Sequence, residues 1–124
     1  MITRRKKTKD IPSIKKLGKI NSTDVWGFVC LSDNEEIIGY ISYEFDNTTY
    51  FLYDFVVSHD FCKKKVGKEL LDNIISKLTK RKRENIIISV PEYDLSSQQA
   101  LRHIGFKASA IMHKEKTYLM EYKI

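Results

Sequence analysis

Thr49 to Val57 is a nearly unbroken apolar run, and a short lysine-rich turn separates it from an amphipathic helix. The junction is Phe61-Cys62-Lys63-Lys64-Lys65-Val66-Gly67-Lys68-Glu69-Leu70-Leu71. A strand, a tight basic turn and a helix start together form an anion site. The first N–H groups of the helix have no partner within it, and its dipole adds partial positive charge there. Lys63, Lys64, Lys65 and Lys68 add full charges. The strand is too apolar for a half-wet edge, so it is predicted to be central and covered on both faces.

The helix is the clearest element. Val66, Leu70, Leu71, Ile74, Ile75 and Leu78 form one apolar stripe opposite lysines and acids. Before it come a short edge strand, Ile2 to Lys7, and a short helix, Asp10 to Leu17, with Asp10 near its N-cap and Pro12 in its first turn. Asn21 to Asp24 is a polar break. A meander follows: strand Val25 to Leu31, turn Ser32 to Glu35, strand Glu36 to Phe45, turn Asp46-Asn47-Thr48, and the Thr49–Val57 strand. After the long helix, Asn85 to Val90 reads as a buried strand ended by Pro91. Ser96 with Gln99 has the capping-box spacing for a second helix, closed by Gly105. Phe106 to Met112 and Thr117 to Lys123 make a hairpin around Lys114-Glu115. The order β-α-β-β-β-α-β-α-β-β predicts a layered α/β (α+β) domain with a mixed central sheet, spanning 1–124 as one unit. Strands Thr49–Val57 and Asn85–Val90 should be parallel, joined by a right-handed crossover.

A hydrophobic share of 42% supports a folded core and argues against disorder. No apolar run approaches the about 20 residues that span a bilayer, and no secretory h-region follows the basic start, so a cytoplasmic location is expected. Cys30 and Cys62 have no ligand spacing with each other or the histidines, which predicts free thiols and no metal site. Cys30 reads as core; Cys62, at the turn, is structural or reactive. His59, His103 and His113 read as surface residues. The net charge of +6 points to an acidic partner, either nucleic acid or a polyphosphate-bearing small molecule. Arg4-Arg5-Lys6-Lys7 and Lys80-Arg81-Lys82-Arg83 carry much of it, and the second cluster also fits a solvated helix C-terminus.

The element order and three local motifs resemble the GCN5-related N-acetyltransferase (GNAT) superfamily. Val57-Ser58-His59-Asp60-Phe61 is similar to the family's strand exit before the acyl-CoA loop. Cys62 to Gly67 stands where the family has its pyrophosphate loop, Arg/Gln-x-x-Gly-x-Gly/Ala. Leu101-Arg102-His103-Ile104-Gly105-Phe106 looks like its late helix ending in Gly-Phe. Tyr118-Leu119-Met120-Glu121-Tyr122 is similar to small members of the ribosomal-protein N-terminal acetyltransferase kind. The resemblance implies acetyl-CoA as acyl donor and direct transfer of its acetyl group to a primary amine, on a protein N-terminus, a lysine or a small molecule. It implies donor contacts from Phe55, Val56 and Val57, from the loop residues Cys62, Lys63, Lys64, Lys65, Val66, Gly67 and Lys68, and from Ser97 and Leu101. The Val57 N–H would polarise the thioester carbonyl.

Cys62 and Lys65 depart from the loop pattern, leaving Gly67 alone of the glycine pair. The family's frequent tyrosine acid falls on Leu101, and the glutamate base of ribosomal-type members falls on Ser89. The remaining base candidates are Asp54, Glu92 and Tyr93. Asp54 in an apolar strand is either a base with a raised pKa or a satisfied structural group. Glu92 and Tyr93 are either catalytic or ordinary loop residues. A second reading is a catalytically degenerate domain that binds nucleic acid or protein through its basic clusters. The sequence leaves monomer and homodimer both open.

Overall fold

Seven strands form one mixed sheet in the order β1-β2-β3-β4-β5-β7-β6 in this computed structural model. The structure describes residues 1–78 and 83–124, the side chains of 77 and 78 excepted. The strands are β1 Ile2–Arg5, β2 Trp26–Leu31, β3 Ile37–Phe45, β4 Thr49–Val57, β5 Asn85–Pro91, β6 Lys107–Met112 and β7 Thr117–Lys123. The helices are α1 Ile11–Lys15, α2 Lys63–Leu78 and α3 Leu95–Ile104. Of the strand pairs among the described residues, only β4 with β5 is parallel, as the crossover through α2 requires.

The main core lies between the sheet and the apolar stripe of α2. Val66, Leu70, Leu71 and Ile74 meet Phe28, Ile41, Tyr43, Tyr50, Leu52, Ile86 and Met120 there. Each of these side chains is nearly solvent-free, a burial worth roughly 1.5–3 kcal/mol for a large apolar group. The other sheet face carries a smaller cluster of Ile14, Leu17, Val29 and Tyr40 under α1. α1 has only 5 residues and covers little of that face.

Several sequence expectations need correction. β4 is not covered on both faces: Phe51 and Tyr53 are 36% and 42% exposed, because α1 is too short to reach them. β1 ends at Arg5; the Lys6 N–H still donates to the Gly27 carbonyl at 2.9 Å, and its ammonium donates to the Thr23 and Val25 carbonyls. The first helix is preceded by a 3-10 turn, Thr8–Asp10. The Asp10 carboxylate does not cap α1. It takes the Arg4 guanidinium on both oxygens, at 2.7 and 3.0 Å, and the Lys7 N–H at 2.7 Å. α3 starts at Leu95 with Asp94 as its N-cap, the Asp94 Oδ1 accepting from the Ser97 N–H at 3.1 Å, so the Ser96–Gln99 box is not the device used. Gly105 does close α3, at φ 127°, a conformation that L side chains avoid. Leu78, Lys80, Arg81 and Lys82 lie outside the described residues or side chains.

Candidate functional site: a splayed pair of strands

β4 and β5 stay paired only from Thr49↔Asn85 to Leu52↔Ile88. Beyond that point each strand keeps its other neighbour: β4 follows β3 to Val57↔Gly39, and β5 follows β7 to Pro91↔Thr117. A wedge opens between them. The register of β3 and β4 shifts at the same place, from Tyr43↔Leu52 to Ser42↔Asp54, so Tyr53 is an extra residue in β4. Such a bulge adds twist and reverses which residues face the core. Tyr50 and Leu52 face α2 before it; Phe55 and Val57 do so after it. Asp54 is thereby turned to the α1 face.

The wedge exposes backbone groups. The Ser58 N–H donates to the Ile38 carbonyl at 2.8 Å, which fixes the alternation along β4. Residues 54, 56 and 58 direct their N–H groups to β3. Phe55 and Val57 direct theirs to the open side, where β5 has left. A cleft of about 480 Å³ fills this space, within the usual size of a ligand site. Val56, Val57, Ser89, Val90 and Leu101 are among its lining residues, and it opens toward Tyr53 and Asn21 on one face and Lys63 and Ser97 on the other.

α2 begins beside the second mouth. The Val66 N–H closes the first turn onto the Cys62 carbonyl at 3.0 Å, which makes Cys62 the N-cap. Helix geometry leaves the amides of Lys63, Lys64 and Lys65 without intrahelical acceptors, and no acidic residue sits in that turn. This end of α2 carries positive potential toward the cleft. The Lys63 ammonium donates to Ser97 Oγ at 2.7 Å, tying α2 to α3 across the mouth. Burial pushes the nearby Asp94 carboxyl up, but hydrogen bonds from Ser97 and the Lys63 charge outweigh it and hold Asp94 below its ordinary value.

The predicted donor residues divide. Phe55, Val56, Val57, Lys63, Ser97 and Leu101 line the cleft together. Cys62, Lys64, Lys65, Val66, Gly67 and Lys68 do not line it; they form the start of α2 beside it. Gly67 is buried inside α2 without a left-handed backbone, and it is closely packed: a Cβ there would lie 3.0 Å from the Phe55 ring and 3.2 Å from Ile104 Cδ1. Cys62 is an exposed free thiol and Cys30 a buried one.

The base candidates divide as well. Asp54 lines the cleft but is 2% exposed, and both its oxygens are occupied. Oδ1 accepts from the Asn21 N–H at 2.6 Å; Oδ2 accepts from the Ser22 N–H at 3.0 Å and the Ser42 hydroxyl at 2.7 Å. The Tyr40 hydroxyl donates to the Ser22 carbonyl at 2.9 Å, and burial, with the Asp54 charge, pushes its pKa up to about 12. This network pins the segment after α1 against the β4 bulge. Glu92 is exposed and does not line the cleft; its backbone carbonyl accepts from Gln98 Nε2 at 3.0 Å. Tyr93 stands at the rim, 85% exposed. The Lys63–Ser97 bond and the Tyr53 bulge leave no mark in the sequence, whereas Asp94, three residues before Ser97, carries a legible cap spacing.

The basic clusters are partly engaged. Arg4 pairs with Asp10, and the Arg5 guanidinium lies 5.7 Å from the Trp26 ring centroid and 5.5 Å from that of Phe28. Arg83 donates to the Asp46 carbonyl at 2.6 Å and to the Tyr50 hydroxyl at 3.1 Å, stacking over Phe45 at 4.0 Å.

A sequence model of the acetyltransferase (GNAT) family matches residues 6–106. The chain belongs to the GNAT acetyltransferase family. No curated protein matches the sequence. Among solved structures, this GNAT chain is similar to nourseothricin acetyltransferase (TM-score 0.81, 14% identity, 98% of this chain and 97% of that one). It is also similar to a ribosomal-protein-alanine N-acetyltransferase from Brucella melitensis (TM-score 0.76, 16% identity, 100% of both). An aminoglycoside 6'-acetyltransferase type Ii superimposes with TM-score 0.72 at 13% identity over 99% of this chain and 97% of that one. At such identities the likeness is one of fold. Family membership makes the chain an acetyltransferase that draws on an acyl-CoA donor. No helix among the described residues is long and apolar enough to cross a membrane.

Proposed function

We propose that this GNAT chain moves an acetyl group from acetyl-CoA to a primary amine by direct attack, with no acyl-enzyme. The observation that carries the reading is the wedge, which aims the Phe55 and Val57 N–H groups into a cleft whose far mouth meets the positive end of α2. The Lys63, Lys64 and Lys65 amides, with their side chains, take the pyrophosphate. The Phe55 backbone extends the broken sheet to the pantetheine arm. The Val57 N–H stabilises charge that develops on the thioester oxygen. Leu101, 4% exposed on α3, packs against the thiol end and donates no proton.

The amine nitrogen bonds to the acetyl carbon, and the carbon–sulfur bond breaks with its electron pair leaving on sulfur. The nitrogen loses its proton to water at the open Tyr53 mouth, and the thiolate is protonated from water. Asp54 is assigned a positioning role, because its oxygens already hold three donors. Glu92 stays outside the cleft, and Tyr93 bounds the acceptor. Holding the two substrates together supplies much of the rate.

Thermal unfolding with acetyl-CoA tests the donor. At 100 times the dissociation constant a ligand adds about 2.7 kcal/mol. For a chain of this length that raises the melting temperature by about 10 °C. No shift at millimolar acetyl-CoA would contradict the proposal.

A further inference from the structure

The sheet face opposite α2 is left open where α1 stops, and one row of residues crosses it. Register places Glu44 of β3 beside Phe51 of β4, Phe51 beside Ile87 of β5, and Ile87 beside Glu121 of β7. Directly opposed residues share a face, so all four side chains stand on the same surface. Phe51 is 36% exposed, Ile87 is half-buried, and Tyr53, one bulge further along, leads into the cleft mouth. The row is an apolar floor with a carboxylate at each end, the two spaced by three strand intervals, about 14 Å.

Neither carboxylate is neutralised by an ion pair among the described residues. Glu44 is exposed and sits against the Tyr53 hydroxyl, whose pKa it raises by hydrogen bonding. Glu121 accepts from Asn85 Nδ2 on one oxygen, and Asn85 is held in turn by the Thr49 hydroxyl at 2.6 Å. Lys107 faces Glu121 from β6, and Lys123 lies on the same face one row below. Arg5 and Lys6 line one pocket with Glu44, but the Lys6 ammonium is held by the Thr23 and Val25 carbonyls and Arg5 lies by the Trp26 and Phe28 rings, so Glu44 is the stronger of the two sites. In a chain of net charge +6, two carboxylates flanking an exposed apolar strip beside the reaction cleft select for positive charge.

We propose that this face is the acceptor platform and that the acceptor is a small linear oligoamine. One amine enters the cleft at Tyr53; in the shorter members the alkyl spacer lies on Phe51 and a second ammonium is held by Glu44, and in the longer members the spacer crosses Phe51 and Ile87 to Glu121. This deepens the acetyl-CoA reading above and rests on it. The reaction consumes one neutral amine per acetyl-CoA and yields the monoacetylated oligoamine and CoA.

The test is steady-state transfer from acetyl-CoA to spermidine, n-butylamine and an alanine-initiated peptide, alongside the acetyl-CoA melting shift. Spermidine should exceed n-butylamine in kcat/KM by about 100-fold, since a charge-assisted contact is gained. Glu44→Gln should raise the spermidine KM about ten-fold and Glu121→Gln by less, with the KM for acetyl-CoA unchanged in both. Equal use of n-butylamine, preferential use of the peptide, or a spermidine KM indifferent to both variants would overturn the assignment. A melting shift with no transfer to spermidine defeats the acceptor assignment alone. Loss of both the shift and all transfer defeats the donor reading with it.

Discussion

Replacing Asp54 with Asn separates a positioning carboxylate from a catalytic base. The change keeps the shape of the side chain but exchanges one acceptor oxygen for an NH2 group. In the structure three donors converge on the carboxylate: the amides of Asn21 and Ser22 and the Ser42 hydroxyl. The Ser42 hydroxyl can rotate and accept from the new NH2. The two amides cannot, so one is left facing a donor in a site that is 2% exposed. An unsatisfied buried amide costs about 1–3 kcal/mol, and losing the charge on the remaining bonds adds about 1 more. A total of about 2–4 kcal/mol corresponds to a fall of about 8–16 °C in melting temperature for this chain length. Calorimetry reads that fall. Well below the new melting point, the variant should keep kcat within a few-fold while the amine KM rises, because the Asn21–Ser22 wall has loosened. A base behaves otherwise: its loss typically lowers kcat by about 10²–10⁴-fold without unfolding the protein. An Asp54→Asn enzyme with a wild-type melting temperature and a hundred-fold lower kcat would refute the positioning argument.

Gly67→Val should destabilise the fold by about 1–3 kcal/mol through overpacking against Phe55 and Ile104, read as a lower melting temperature even without ligand. Lys63→Met should weaken CoA binding and leave the fold intact, since it removes a charge and the Ser97 contact at the cleft mouth; equilibrium titration with CoA checks it. Arg4 holds the Asp10 carboxyl below its ordinary value against the opposing effect of burial. A depressed carboxylate contributes stability that is present above its unfolded pKa of about 4 and is lost as pH falls through the folded value. Wild type should therefore melt above Asp10→Asn at pH 7, with the gap closing below about pH 4 in a melting series across pH.

Local pattern made the order of elements legible. The α2 stripe, the Ile86-Ile87-Ile88 run and Gly105 each carry a periodicity or a backbone demand that survives any tertiary context. The parallel pairing of β4 with β5 followed from the helix between them. What the sequence hid is nonlocal. The run Tyr50-Phe51-Leu52-Tyr53 reads as buried on both sides, yet whether Phe51 and Tyr53 are covered depends on how far α1 extends. The bulge at Tyr53 depends on how many residues β3 places opposite β4. That single extra residue turns Asp54 from the α2 core to the α1 face and releases β4 from β5. Asp94 and Ser96 were both chemically able to cap α3, and the chain path after Pro91 selects Asp94. Gly67 stood out as a glycine in a phosphate loop, but its neighbours, Phe55 and Ile104, come from other elements.

The central claim is that the β4 amides freed by the splay, together with the first amides of α2, hold the acyl donor. A titration of the isotope-labelled protein with CoA, followed by amide proton–nitrogen correlation spectra, addresses those groups one by one. The account predicts that the largest shifts fall on Phe55, Val57, Lys63, Lys64 and Lys65, and that the amides of Val56 and Ser58, already bonded to β3, move less. Saturating shifts that leave Phe55 and Val57 unmoved, or that cluster on another face of the sheet, would contradict it.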